Sequence, residues 1–185
     1  MPIPLDSLLK AGPDFDAPVD MLQACHDRIE GQCETLLRLV PHLAQHGADS
    51  QARDAATAVL RYFDTAGENH HQDEEIDLFP ALREHAGARL LEVETLLAAL
   101  LTEHERMRHA WAEQLRPELV AVTGGEAKLT PASTQAFVAM YRQHVSRENS
   151  GLMPLARDLL GADVLADIGR RMAERRRAPA SAVKS

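Results

Sequence analysis

Cysteine, aromatic residues and positive charge are all scarce in this chain. Two cysteines, Cys25 and Cys33, among 185 residues exclude a disulfide-stapled scaffold and a thiolate-rich metal site. On one helix they would stand about 12 Å apart along the axis, too far for a mutual bridge. A reducing, cytoplasmic setting is the simplest expectation. One Trp, two Tyr and four Phe leave the core to Leu and Ala. Twenty Lys and Arg stand against 28 Asp and Glu, a net charge of −8. That balance argues against a dedicated nucleic-acid binder, because neutralising phosphates needs concentrated cations. No apolar run approaches the ~18 residues that cross a bilayer, and no membrane partner is expected. The first residues, Met1-Pro2-Ile3-Pro4-Leu5-Asp6, lack a basic stretch followed by an apolar one, so no secretory leader is expected. No Gly-rich phosphate loop and no Ser/His/Asp order stands out. With 45% apolar and 26% charged residues the chain is neither disordered nor collagen-like, and its length predicts one domain with an adequate core.

What is present is helix. Gly47, Gly87, Gly124-Gly125 and Gly161 fall at intervals of 40, 37 and 37 residues. The segments between them are rich in Ala, Leu, Arg and Glu and poor in β-branched residues. The pattern predicts helices over 18–46, 50–86, 88–123 and 131–160, with a short fifth near 163–176. Pro18 suits a first turn, Ser50 a cap, and Thr130 before Pro131 a cap followed by a helical proline. Pro41, Pro80, Pro117 and Pro154 lie late in each helix, where kinks or early ends are expected. Residues 1–17 read as an irregular arm, 18–160 as the bundle, and 161–185 as a short helix with a basic tail. Short connections between long helices imply an all-α, up-down-up-down four-helix bundle.

Each long helix carries an apolar stripe with the rhythm of a buried face, and each stripe is interrupted near its middle. His26 falls between Leu22 and Ile29. His70 and Glu74 separate Phe63 and Ala66 from Leu78. His104 lies between Leu100 and Met107. His144 and Glu148 separate Tyr141 from Leu152. One such histidine is ordinarily a satisfied core residue. Four at similar depth, with two carboxylates, are a different matter. An unpaired carboxylate in an apolar core costs several kcal/mol, and the nearest arginine, Arg108, sits one place off its stripe. A cation between the helices would offset that cost.

Spacing supports this. Residues i and i+4 share a helix face, so His-x-x-x-Glu aims two donors at one ion. About 0.7 such pairs are expected by chance. The chain has five: His26/Glu30, His70/Glu74, His71/Glu75, His109/Glu113 and His144/Glu148. Only the 70/74 and 144/148 pairs lie squarely on a stripe; the rest read as solvent-face charge pairs, except that Glu30 is left open between that face and the site. The segment from His70 to Leu82 also repeats from His144 to Ala156 at an offset of 74, and His26 and His104 are offset by 78. Two halves related by a pseudo-twofold axis would supply a six-donor set: His26, His70, Glu74, His104, His144 and Glu148. Six imidazole and carboxylate donors are too many for one zinc and suit two octahedral ions, iron first and manganese second. Di-iron bundles of the ferritin type use Glu-x-x-His instead.

The combined pattern H…HxxxE…H…HxxxE resembles the hemerythrin-like family, the HHE cation-binding domains. Cys25-His26-Asp27-Arg28-Ile29-Glu30, Glu74-Glu75 before Leu78-Phe79-Pro80, and Leu100-Leu101 before Glu103-His104 add to the match over roughly residues 18–160. The resemblance implies a non-heme di-iron centre, carboxylate- and oxo- or hydroxo-bridged, that meets dioxygen, peroxide or nitric oxide. Two departures stand out. Arg108 occupies the place of a second histidine on the third helix of the oxygen carriers, and Glu148 replaces an Asp one residue further on. A carboxylate-richer centre favours the ferric state, which sets sensing, iron handling, nitric-oxide binding and peroxide chemistry beside simple oxygen carriage.

The first expectation is therefore a di-iron protein whose partner is a small diatomic or peroxide ligand, acting as sensor, store or scavenger. A di-iron enzyme and a metal-free helical interaction module are the alternatives, and a homodimer is compatible with the sequence. Cys25 reads as a core filler beside His26. Tyr141 either packs or hydrogen-bonds the site. The five arginines of 170–177 read as a solvated helix end.

Overall fold

The apolar stripes meet as the spacing requires. A computed structural model describes residues 14–177. Its helices are α1 (Pro18–His46), α2 (residues 50–85), α3 (residues 90–123), α4 (residues 131–159) and α5 (Ala162–Arg177), with a 3₁₀ turn at Gly87–Arg89. There is no strand among the described residues. α1 packs beside α2 and α4, and α3 beside the same two. This is the expected up-down-up-down four-helix bundle, with α5 laid across α1 and the middle of α2. Of the expected arm only 14–17 are described, and the tail beyond 177 also lies outside the described residues.

Helix starts follow local chemistry, with two corrections. Asp49, not Ser50, caps α2: its carboxylate accepts from the Ala52 N–H at 2.8 Å. Thr130 does stand before Pro131, but its hydroxyl donates to Glu118 at 2.6 Å rather than capping α4. α1 ends at Gly47, whose φ of 68° lets its N–H reach back to the Leu43 carbonyl, a conformation costly for a residue with a Cβ.

The interior prolines do not end the helices. Pro41 sits inside regular α-helix. Wider π turns at Asp73–Leu78, Trp111–Leu115 and Glu148–Leu152 each finish two residues before Pro80, Pro117 and Pro154. The extra residue in a π turn shifts the hydrogen-bond ladder and accommodates the missing proline N–H. A further π turn, Phe63–Gly67, has no proline after it.

The core divides into two apolar layers. One holds Ile29, Leu36, Phe63, Met107, Leu119 and Phe137. The other holds Leu22, Leu78, Phe79, Leu100, Leu152 and Met172. Each stripe runs from one layer to the other, so the polar interruptions of all four helices meet at the boundary between them.

Candidate metal centre

His26, His70, Glu74, His104, His144 and Glu148 are all fully buried, each at most 2% exposed. They converge as two overlapping four-donor groups, in each of which one donor atom per residue lies within 4.8 Å of the others. The first is His26, His70, Glu74 and Glu148, and the second is Glu74, His104, His144 and Glu148. Both carboxylates belong to both groups. Each helix pair supplies a lone histidine and a His-x-x-x-Glu, matching the internal repeat.

The contacts are those of donors facing donors. Nε2 of His104 and Nε2 of His144 stand 3.1 Å apart. His26 Nε2 lies 3.1 Å and His144 Nε2 3.0 Å from the Glu148 carboxylate, and His70 Nε2 is 3.6 Å from Glu74. Yet His26 Nε2, both ring nitrogens of His70, and both oxygens of Glu74 and of Glu148 have no aligned hydrogen-bond partner. With His71 Nε2 they make eight of the nine such buried atoms among the described residues; the ninth is Thr134 Oγ1. Leaving one buried polar atom unsatisfied costs about 1–3 kcal/mol, so eight would match or exceed the ~5–15 kcal/mol that holds an ordinary domain together. Cations between the helices would satisfy six of the eight at once, His26 Nε2, His70 Nε2 and the four glutamate oxygens, and the residues present fit such ions.

Charge within the cluster is polarised. Burial and the neighbouring Glu148 push the Glu74 carboxyl up to about 7. Burial acts on Glu148 in the same direction, but the surrounding His144, His104 and His26 hold it well below the usual carboxylate range. Burial opposes charge on His104, yet contacts with Glu148, Glu74 and Glu75 push it up to about 11. His70 has no comparable compensation, and burial holds it well below the ordinary imidazole value. Neutral imidazole and ionised carboxylate are the forms that bind a metal.

Three of the four imidazoles are anchored through Nδ1. Glu75 Oε1 lies 2.6 Å from His104 Nδ1, Glu103 Oε2 3.0 Å from His144 Nδ1, and Asn149 Oδ1 2.8 Å from His26 Nδ1. Arg108 donates to Glu75 at 2.8 Å and Arg147 to Glu103 at 2.9 Å. Such partners fix the tautomer and turn Nε2 inward.

Two expectations are overturned here. His71 is not on a solvent face: it is buried, and its ring stacks on His104 at 4.2 Å. Its Nε2 joins His104 and His144 in a third compact donor group. Its partner four residues on, Glu75, is the acid that holds His104. Of the remaining pairs, His109 and Glu113 are exposed, while Glu30 binds Arg142 at the surface. Nor is the arginine-rich end of α5 wholly solvated. Arg175 and Arg176 clamp Asp73, and Arg175 also bonds Asp77 at 2.7 Å. Asp73 and Asp77 are buried. They lie beside Glu74 on the π turn of α2, and no periodic signal marked them. Tyr141 packs against Phe63 and Phe137, and Cys25 and Cys33 are buried free thiols.

A four-helix bundle with imidazoles and acids gathered between two apolar layers defines a cation-binding helical protein. The family model "Hemerythrin HHE cation binding domain" matches residues 17–156, and the chain belongs to that family. It is also 29% identical over 163 residues to an uncharacterized protein of Haemophilus influenzae, covering 88% of this chain and 91% of the other. No helix among the described residues is long and apolar enough to cross a membrane.

Proposed function

We propose that the chain holds two iron ions between its four helices and binds or reacts with a small oxidant, dioxygen, nitric oxide or peroxide, as sensor, store or scavenger. One observation carries the count of two: Glu74 and Glu148 each belong to both four-donor groups, as acids bridging neighbouring ions do. The choice of iron rests on the donor set, four imidazoles and two carboxylates, which is borderline to hard and exceeds what one zinc takes. Such an ion pair, when bound, supplies one or two electrons to a small oxidant.

The chain's own residues do the rest. His26 and His70 hold one position, His104 and His144 the other, and the two glutamates serve both. Glu75, Glu103 and Asn149 keep the imidazoles aimed inward. The layers containing Phe63, Met107 and Tyr141 on one side and Leu78, Phe79 and Leu100 on the other exclude bulk water. A site closed on both sides by apolar layers favours entry of small, weakly hydrated molecules over anionic substrates.

Metal analysis of the purified chain should give about two iron per chain with an oxo-to-iron charge-transfer band that responds to air. Glu74→Ala should lower both the metal content and, by linkage, Tm. Unchanged values, or a single ion per chain, would overturn the reading. Peroxide consumption that stays stoichiometric with iron keeps the chain a binder. Consumption that continues beyond it and tracks iron loading makes the chain an enzyme.

A further inference from the structure

The two halves of the site match in their donors but differ in what stands behind them. His104 and His144 are both backed by carboxylates, Glu75 and Glu103. His26 is backed by the neutral amide of Asn149. His70 Nδ1 is buried with no partner at all. A carboxylate on Nδ1–H draws the proton toward itself and leaves Nε2 more electron-rich, a stronger donor to a cation. Arg108 and Arg147 hold those carboxylates from the outer side, but they sit one bond further out. They are about a third exposed, at 32% and 40%, where water screens them. The anion in direct contact with the ring therefore dominates. His71 adds to the same side: its Nε2 is unpartnered and groups with His104 and His144, while His26 and His70 gain no further imidazole.

We infer that the two cation positions are unequal, the His104/His144 position binding a divalent cation more tightly and filling first, with Glu75 and Glu103 as the positioning residues that set the difference. This rests on the two-ion reading above. A symmetric pair of helix hairpins thus becomes an asymmetric centre through residues that touch no ion.

The full-length protein, stripped of metal and titrated with cobalt(II) under anaerobic conditions, tests it. Cobalt's visible ligand-field bands report each ion as it binds. Two resolved steps are expected. Glu103→Gln keeps an oxygen for His144 Nδ1–H but removes the charge. It should weaken the tighter step by about 10- to 100-fold and shift that step's band, while the weaker step stays within about twofold. Glu75→Gln should do the same through His104. It serves as the second variant should Glu103→Gln fail to fold by circular dichroism. Asn149→Ala should act on the weaker step alone. A merely structural role for the glutamates would weaken both steps together, and that result, or no change in either, would overturn the inference while leaving two bound ions. A single step that ends at two cobalt per chain would overturn the inference alone, whereas saturation at one cobalt per chain, or none, would overturn the two-ion reading and this inference with it.

Discussion

Replacing Arg175 and Arg176 together by alanine removes the partners that α5 offers to Asp73. Asp73 is 0% exposed, while Arg175 and Arg176 are only 15% and 24% exposed, so solvent does little to screen the contact. Burial already pushes the Asp73 carboxyl up, and the two guanidinium groups pull against that rise. Removing one side of a buried ion pair costs about 3–5 kcal/mol, because the remaining charge has neither water nor partner. The exposed edges of the arginines favour the lower figure, about 3 kcal/mol. Asp77 keeps the more distant Arg171, at 3.8 Å. For a chain of this length each kcal/mol moves Tm by about 2–4 °C, so a fall of about 6–12 °C is expected. Thermal unfolding followed by circular dichroism at fixed metal loading measures it. Adding Asp73→Asn to the double variant removes the stranded charge and should recover about half of the loss. A fall under about 2 °C, or no recovery in the triple variant, would show that Asp73 is not held as an ion by α5.

Two further outcomes follow from local geometry. A Cβ at Gly169 would stand 1.8 Å from the Phe15 carbonyl oxygen, a backbone atom that cannot turn aside. Gly169→Ala should cost about 1–3 kcal/mol in urea unfolding as residues 14–17 lose their seat on α5, and a variant as stable as its parent would contradict that packing. Asp49 is held below its ordinary 3.8 by the Ala52 N–H and then by His42. Its stabilisation is therefore complete above that pH and is lost as pH falls through the lower folded value. Asp49→Ala should lower Tm by a few degrees at neutral pH, with the gap from the parent narrowing as the pH falls below the ordinary carboxylate value. A gap that persists in acid would place the cap's contribution elsewhere.

Much of the site is visible in linear spacing because it obeys one helical rule. His70/Glu74 and His144/Glu148 share faces four residues apart, and both interrupt apolar stripes, so their burial follows from the stripe itself. His71, Asp73 and Asp77 escaped that logic. α2 is covered twice, by its bundle neighbours and by α5, and π turns on both sides of 68–72 alter its helical phase. A single 3.6-residue periodicity recognises one buried face, not two. The prolines were misleading for a related reason: each removes a hydrogen bond, but whether the chain kinks or widens into a π turn depends on the packing around it.

The chain's own order of residues determined the four helices, their antiparallel arrangement and the six donors at mid-height, because these rest on local periodicity and short connections. Tertiary structure alone decided which groups stand behind those donors. Glu75 lies 29 positions from His104 and Glu103 lies 41 from His144, while Arg175 is 102 from Asp73. Pairings of that range come from helices docking side by side, and no local propensity records which surface charge will meet which buried ring.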